Sequence, residues 1–379
     1  TSINISAVAG GQSQVLVQFY YNDQDIWAWY WAVDDVEISV LDNNDLDLTS
    51  SHFQTLGAFG LPMPYYMVPT SQVTGIDFTG IVDNVGLTDQ TTSVLSVDVD
   101  GAALGTSAGA TILSGVVGDT LLVTTQYTPS ATVGTHAFDF VLSSDSVDSD
   151  TTNNYGTGSM QVTDYIYARD NGVADGGSYN QGNAFEVGNK FDIFSDLTVY
   201  SINVGIGTTA DAGALVYGVI YSLDTTTGDF IFEQNTADYT LMSGDLGAEI
   251  TLNLFSSFTM LNGNIYLVCV GAYGNGGVSS DLVVSTAGAS DPQTSNYYDG
   301  TDLTWYYTES TPWVRINLED NTGTGIKEIN TNSTLGQNIP NPAVNNTLIT
   351  YSLTKATKVN LSIIDINGKI VLELNEGTK

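Results

Sequence analysis

The spacing of Gly105, Ser107 and Gly109 in GTSAG matches the G-x-S-x-G nucleophile elbow, where a serine hydroxyl stands on a sharp turn from strand to helix. Such a serine needs a general base and an acid. His136 is the single downstream histidine, and it alternates with Phe138 and Phe140 as a strand residue would. The following ATILSGVVGDTLLVTT also reads as strand, so a glycine-rich turn between strands is the expectation. His52 and His136 are too few and too isolated for zinc, which takes about four ligands. No HExxH, CxxC or phosphate-loop motif occurs. Cys269, the lone cysteine, lies in the apolar run NIYLVCVGAY and reads as a small buried hydrophobe on a core strand. No enzyme is expected within these 379 residues.

Oxygen-rich loops suggest other chemistry. SSDSVDSDTTNNY carries Asp145, Asp148, Asp150, Asn153 and Asn154, and VLDNNDLD carries Asp42, Asn43, Asp45 and Asp47. Calcium binds roughly six to eight such oxygens and is the one expected cofactor. Neither loop has EF-hand spacing, and Asp/Asn runs also serve simply as turns. The aromatics of YYDGTDLTWYYTESTPWVRINL fit either a core or a contact surface for a glycan or protein. Arg169 and Arg315 are expected to pair with carboxylates as structural groups.

The charge balance excludes some partners. The chain has 8 Lys and Arg against 42 Asp and Glu, and only Arg169, Lys190 and Arg315 are basic before residue 321. That surface repels nucleic acid and anionic lipid, which require clustered cations. It suits salty or calcium-containing surroundings. No apolar run approaches the roughly 20 residues that span a bilayer, so no membrane insertion is expected. After residue 320 the balance turns near neutral, with five basic and four acidic side chains, which marks a separate part.

The elements that must position these groups are strands. Period-two alternation with β-branched and aromatic residues recurs in SQVLVQFYY, TSVLSVDVDG, TLLVTTQYT, HAFDFVLSSD, LTVYSINVGI, ALVYGVIYSL and NIYLVCVGAY, without sustained helical periodicity. The expected fold is all-β, a tandem array of β-sandwich, jelly-roll and immunoglobulin-like domains. Residues 1–41 are expected to be the closing strands of a larger sheet, since their aromatics exceed what a lone hairpin can bury. Residues 42–163 read as an immunoglobulin-like sandwich of about seven strands. Residues 164–320 read as a jelly-roll-like domain of eight or more, residues 321–334 as a polar linker, and 335–379 as a small β module.

Two segments resemble known families. The aromatic strand, D-x-W-x-W turn and AVDDVEI of the first 41 residues are similar to the end of choice-of-anchor J or cleaved-adhesin jelly rolls, which are MAM-like. That likeness implies a longer domain upstream and gives Asp34 and Asp35 a claim as calcium ligands. FTGIVDNVG and the strands after it are similar to bacterial immunoglobulin-like adhesion modules.

The tail resembles the type A C-terminal sorting domain of the type IX secretion system of the Bacteroidota. The matching positions are Leu335, Gln337, Asn338, Pro340, Asn341, Pro342, Thr347, Ile349, Tyr351, Leu353, Asp365, Gly368 and Lys369. The two prolines fix their φ angles and donate no strand hydrogen bond, which makes NIPNP a stiff, extended lead-in. The family continues with further strands, so this sorting domain is expected to be incomplete. The resemblance implies a secreted, extracellular or cell-surface protein whose export partners are the outer-membrane translocon and its shuttle protein. The expected function is adhesin-like. The alternatives are the accessory C-terminal region of a secreted hydrolase such as a peptidase, and a surface-layer or filament subunit.

Overall fold

The computed structural model describes residues 3, 5–22, 32–34, 36, 38, 41–57, 60–178, 182–274, 281–320, 334–335, 347–349, 351–352, 358–364 and 369–378. Strands dominate, and the α-helix among the described residues is the four-residue Ser6–Ala9. The fold is all-β, as the alternation predicts. One expected strand is absent: Ser13–Asn22, which includes SQVLVQFYY, forms no strand, and Leu16 and Tyr20 are exposed. Alternation marks a strand only where a neighbouring strand accepts its backbone hydrogen bonds, so the pattern alone does not make one.

The first sandwich stacks two sheets. One runs in the order Pro62–Met63, Leu46–Leu56, Asp77–Asn84, Asp119–Leu122. The other runs Met67–Pro69, Tyr155–Thr163, Gly134–Ser143, Gln90–Val99, Ala102–Thr106, with Ala110–Ile112 also on Gln90–Val99. Ten strands thus replace the seven expected; the additional ones are pieces of two to five residues that hydropathy over a longer window does not resolve. The strand Asp77–Asn84 alternates between half-buried and buried positions along its length. Its Phe78 meets Phe138 of the facing sheet edge to face, with centroids 5.0 Å apart. Burying such rings is worth roughly 1.5–3 kcal/mol each.

The second sandwich, from Ile166 to Asn317, has three sheets. A four-stranded sheet orders Ile166–Tyr167, Val314–Asn317, Leu197–Gly205 and Glu249–Met260. A three-stranded sheet joins Gly176–Ser178, Val284–Ala289 and Ser310–Pro312. The largest orders Phe230–Asn235, Leu215–Leu223, Ile265–Ala272, Phe185–Asp192, Ser295–Asp299 and Thr304–Tyr307, with Tyr239–Thr240 also pairing Leu215–Leu223.

The sandwiches share one core. At their junction Tyr65 stacks on Tyr167 at 4.6 Å, and Tyr167 packs on Phe191 at 5.1 Å. The hydroxyls are satisfied in place: the Asp192 amide donates to Tyr65 Oη at 2.8 Å, and Tyr167 Oη donates to the Asp192 carbonyl at 3.0 Å. Gln72, fully buried, donates to the Ser195 carbonyl at 2.7 Å and accepts from the Phe194 amide at 2.9 Å. Burial and nearby Asp192 push the Tyr65 phenol far up, so it stays neutral and hydrogen-bonded.

All three basic side chains before residue 321 are buried. Arg315 holds Asp170 through Nε at 2.9 Å and Nη2 at 2.5 Å, and Glu249 through Nη1 at 2.9 Å. Its guanidinium lies 4.4 Å from the Trp313 ring centroid, and the indole N–H donates to the same Glu249 oxygen at 2.7 Å. That matches the expected structural pairing. Arg169 does not: its hydrogen bonds go to the Thr294 carbonyl at 2.6 Å and hydroxyl at 3.0 Å.

Two substitutions test this frame. Gln72→Ala leaves polar groups at the junction without partners and should cost about 1–3 kcal/mol. Urea unfolding followed by two probes should then separate the two sandwiches, whereas coincident curves with an unchanged midpoint contradict the junction. Arg315→Met strands the buried Asp170 carboxylate and should cost about 3–5 kcal/mol in the same assay; a loss below about 1 kcal/mol contradicts its role.

A candidate ligand groove on the curled sheet

The largest sheet alternates two kinds of residue. On Phe185–Asp192, Phe185, Val187 and Phe191 enter the main core, which leaves Glu186, Gly188 and Lys190 on the other face. Register carries that second face across the sheet. Glu186 stands opposite Gly271 and Tyr298, and Gly271 opposite Tyr217. Lys190 stands opposite Leu267, which stands opposite Tyr221. Val219, Leu267 and Cys269 form a second small core there, covered by Tyr217, Tyr221, Phe230 and Trp305.

This face must be a trough. Phe230 belongs to one edge strand and Trp305 to the other, five strand intervals apart. A flat sheet would separate those edges by about 24 Å, yet the rings lie 4.9 Å apart at 64°. Tyr221 and Tyr298 reach Trp305 at 5.7 and 5.1 Å. Gly271 leaves the floor open, since a Cβ there would come within 2.8 Å of Glu186 Cγ and Tyr217 Cζ.

Beneath this aromatic roof Glu186 accepts from Tyr217 Oη at 2.8 Å and Tyr221 Oη at 2.7 Å. Burial raises its carboxyl, and the two phenols draw it back down. Burial and Glu186 push both phenols far above their ordinary range. Burial likewise pushes the Cys269 thiol well up, which makes it the inert core residue expected. Lys190 lies 5.4 Å from the Phe230 ring centroid. Burial, aided by Arg169, lowers its ammonium to about 8.

The trough opens as a groove of about 730 Å³ lined by Lys190, Gly228, Phe230, Gln293, Asn296, Trp305, Tyr306, Tyr307 and Glu309. Tyr306 and Tyr307 are half exposed. Asn296 is 8% exposed; its Nδ2 donates to the Tyr306 carbonyl at 3.2 Å, and its Oδ1 accepts no hydrogen bond. The expected aromatic segment is therefore divided. Tyr297 packs on Phe185 at 5.7 Å as core, Trp313 serves Arg315, and Trp305, Tyr306 and Tyr307 line the groove. Lys190, Phe230 and Asn296 were not singled out from sequence. The alternation of FEVGNKFD does place Lys190 away from the core face, but the curl that gathers distant edges leaves no local signal.

The other candidates fall elsewhere. Ser107 lies between the strands Ala102–Thr106 and Ala110–Ile112, so the elbow's strand-to-helix turn is absent. Its hydroxyl accepts from the Leu95 amide at 3.0 Å and donates to the Ala108 carbonyl at 3.1 Å. His136 pairs with Asp100 at 2.8 Å, and His52 with Ser50 at 3.1 Å.

The two acidic loops do come together. Asp148 accepts from the Leu46 amide and from Asn154 Nδ2, both at 3.0 Å, and Asn153 Nδ2 reaches Asp45 at 3.2 Å. Asp150 caps the Thr152 amide at 2.9 Å, while Asp145 accepts from Thr91 at 2.7 Å. Burial raises the Asp45 carboxyl; Asn153 offsets this, and Asp148 and Asp150 add to it. Among the described residues no three His, Cys, Asp or Glu side chains converge to hold a metal ion. Asp34 is exposed, and Asp35 lies outside the described residues.

In the tail, Leu335 pairs with Tyr351 across a two-stranded ladder, which joins two of the motif positions. Lys369 is exposed beside the hairpin of Lys358–Ile364 and Ile370–Thr378. Gln337, Asn338, Pro340, Asn341, Pro342, Asp365 and Gly368 lie outside the described residues.

No protein-family model matches the chain, and no curated protein matches it. Among solved structures, the CARDB domain of a Pyrococcus furiosus protein, solved in complex with di-metal ions, is similar at 14% identity. The match covers 35% of this chain and 100% of that one, with a TM-score of 0.25. A likeness that weak carries no argument about ligand or activity.

Lys190 gives the site a pH signature. Its ammonium titrates near 8 when folded and near 10.4 when unfolded. Between those values the unfolded chain binds more protons, so stability rises with pH across the window. Lys190→Met should flatten that rise in urea midpoints measured from about pH 8 to about pH 10; an identical slope in both proteins contradicts it.

Proposed function

We propose that this chain is a secreted, adhesin-like β protein that the type IX secretion system exports through its C-terminal module. The carrying observation is the tail hairpin. Ile370, Val371, Leu372 and Leu374 are 56%, 65%, 46% and 39% exposed on one strand, and Ile363 is 40% exposed on its partner. Among the described residues, none beyond Leu318 joins either core cluster. The described tail strands pair only among themselves. Apolar rows on a near-neutral module attached to an anionic passenger support docking to other proteins, here the outer-membrane translocon and its shuttle protein.

The passenger supports an adhesive role. Two sandwiches sharing a core present an aromatic groove on the largest sheet, with Tyr306 and Tyr307 half exposed. No helix among the described residues is long and apolar enough to cross a membrane.

Export tests the reading. A fluorescent protein fused ahead of residues 321–379 should reach the medium or cell surface of a bacterium with a working exporter. Ile370→Asp combined with Leu372→Asp should reduce that by about tenfold or more. Equal export of both fusions contradicts the proposal.

A further inference from the structure

We infer that the groove binds a neutral polysaccharide, with pyranose rings laid on Trp305 and Tyr307. This deepens the adhesin-like reading and rests on it.

Three features select this ligand class. Phe230, Trp305 and Tyr307 come from both edges of one curled sheet and present apolar ring surface at the walls of an open groove. Flat aromatic surface suits the C–H faces of sugar rings, because the electron-rich π face attracts weakly positive hydrogens. Trp305 is already fixed by edge contacts with Tyr221 and Phe230, so little ordering entropy opposes binding.

The polar groups fit hydroxyls. Asn296 lines the groove, while its amide oxygen is buried from solvent and its Nδ2 donates to the Tyr306 carbonyl. Lys190 and Glu309 supply an ammonium and a carboxylate on the same walls, and hydroxyls can both accept and donate.

Charge sets the sign. Arg169 and Arg315 are buried away from the groove lining, and Lys190 is 95% buried. Few cations oppose the many acidic side chains before residue 321, so the field disfavours uronate or sulfate chains. Recognition therefore depends on stacking and hydroxyl hydrogen bonds and should tolerate salt.

The test uses the full chain in isothermal titration calorimetry. The probes are cellohexaose, xylohexaose, mannohexaose and chitohexaose, with an alginate hexamer, a heparin hexasaccharide and an unrelated peptide alongside. At least one neutral chain should bind, with little change when salt is raised. Trp305→Ala and the edge substitution Tyr307→Ala should each weaken binding by about tenfold. The Tyr307 variant, with its thermal midpoint retained, guards against misfolding. No neutral binding, tighter binding of alginate, heparin or the peptide, or unchanged affinity in both variants overturns the inference. Adhesion of whole cells separates the two readings. Adhesion without sugar binding removes the glycan and keeps the adhesin, whereas sugar binding without adhesion does the reverse.

Discussion

Curling brings the two edges of the largest sheet, Phe230 on one and Trp305 on the other, into contact, and the second sandwich is organised around that closure. Two faces of one sheet are dry as a result. One face joins the main core through Phe185, Val187 and Phe191; the other carries Val219, Leu267 and Cys269 under an aromatic roof. A buried carboxylate on such a face is costly unless hydrogen-bonded. Tyr217 and Tyr221 supply the bonds to Glu186, and Gly271 supplies the room. Where the roof ends, the same face opens as the groove. Groove and second core are one structure at two degrees of coverage.

The anionic composition constrains how this fold is held. Only three cations precede residue 321, so surface ion pairs contribute little. The carboxylates act instead on the backbone. Asp83 accepts from the Gly118 amide at 2.7 Å, Asp89 from Ser114 at 2.9 Å, and Asp175 from Gly288 at 2.7 Å. Asp299 and Asp302 cap the hairpin that delivers Trp305, accepting from Thr301 at 2.8 Å and Thr304 at 3.0 Å. Arg315 is kept for one buried task, joining Asp170 and Glu249 across the four-stranded sheet. Salt screens the self-repulsion of so anionic a surface.

Much of the fold was legible in the sequence because its long strands alternate. LTVYSINVGI, ALVYGVIYSL and NIYLVCVGAY became strands in the sheets of the second sandwich, and HAFDFVLSSD one in the first. SQVLVQFYY alternates just as well and forms none, because pairing depends on a partner the pattern does not specify. The acidic loops were readable as loops, but their meeting through Asp148 and Asn153 depends on topology that joins residues about a hundred positions apart. The groove was half legible. TWYY was readable as either core or contact surface, whereas Phe230 and Lys190 arrive from strands far away in sequence.

A crystal structure of the chain grown with a neutral hexasaccharide tests this account most directly. The account predicts the Phe230 and Trp305 rings in contact at about 5 Å, as edge-to-face aromatic pairs sit. It also predicts a sugar ring over Trp305 or Tyr307, with a hydroxyl on the Glu309 carboxylate. An open sheet with the two edges apart, or a closed trough with saccharide bound only elsewhere, would contradict it.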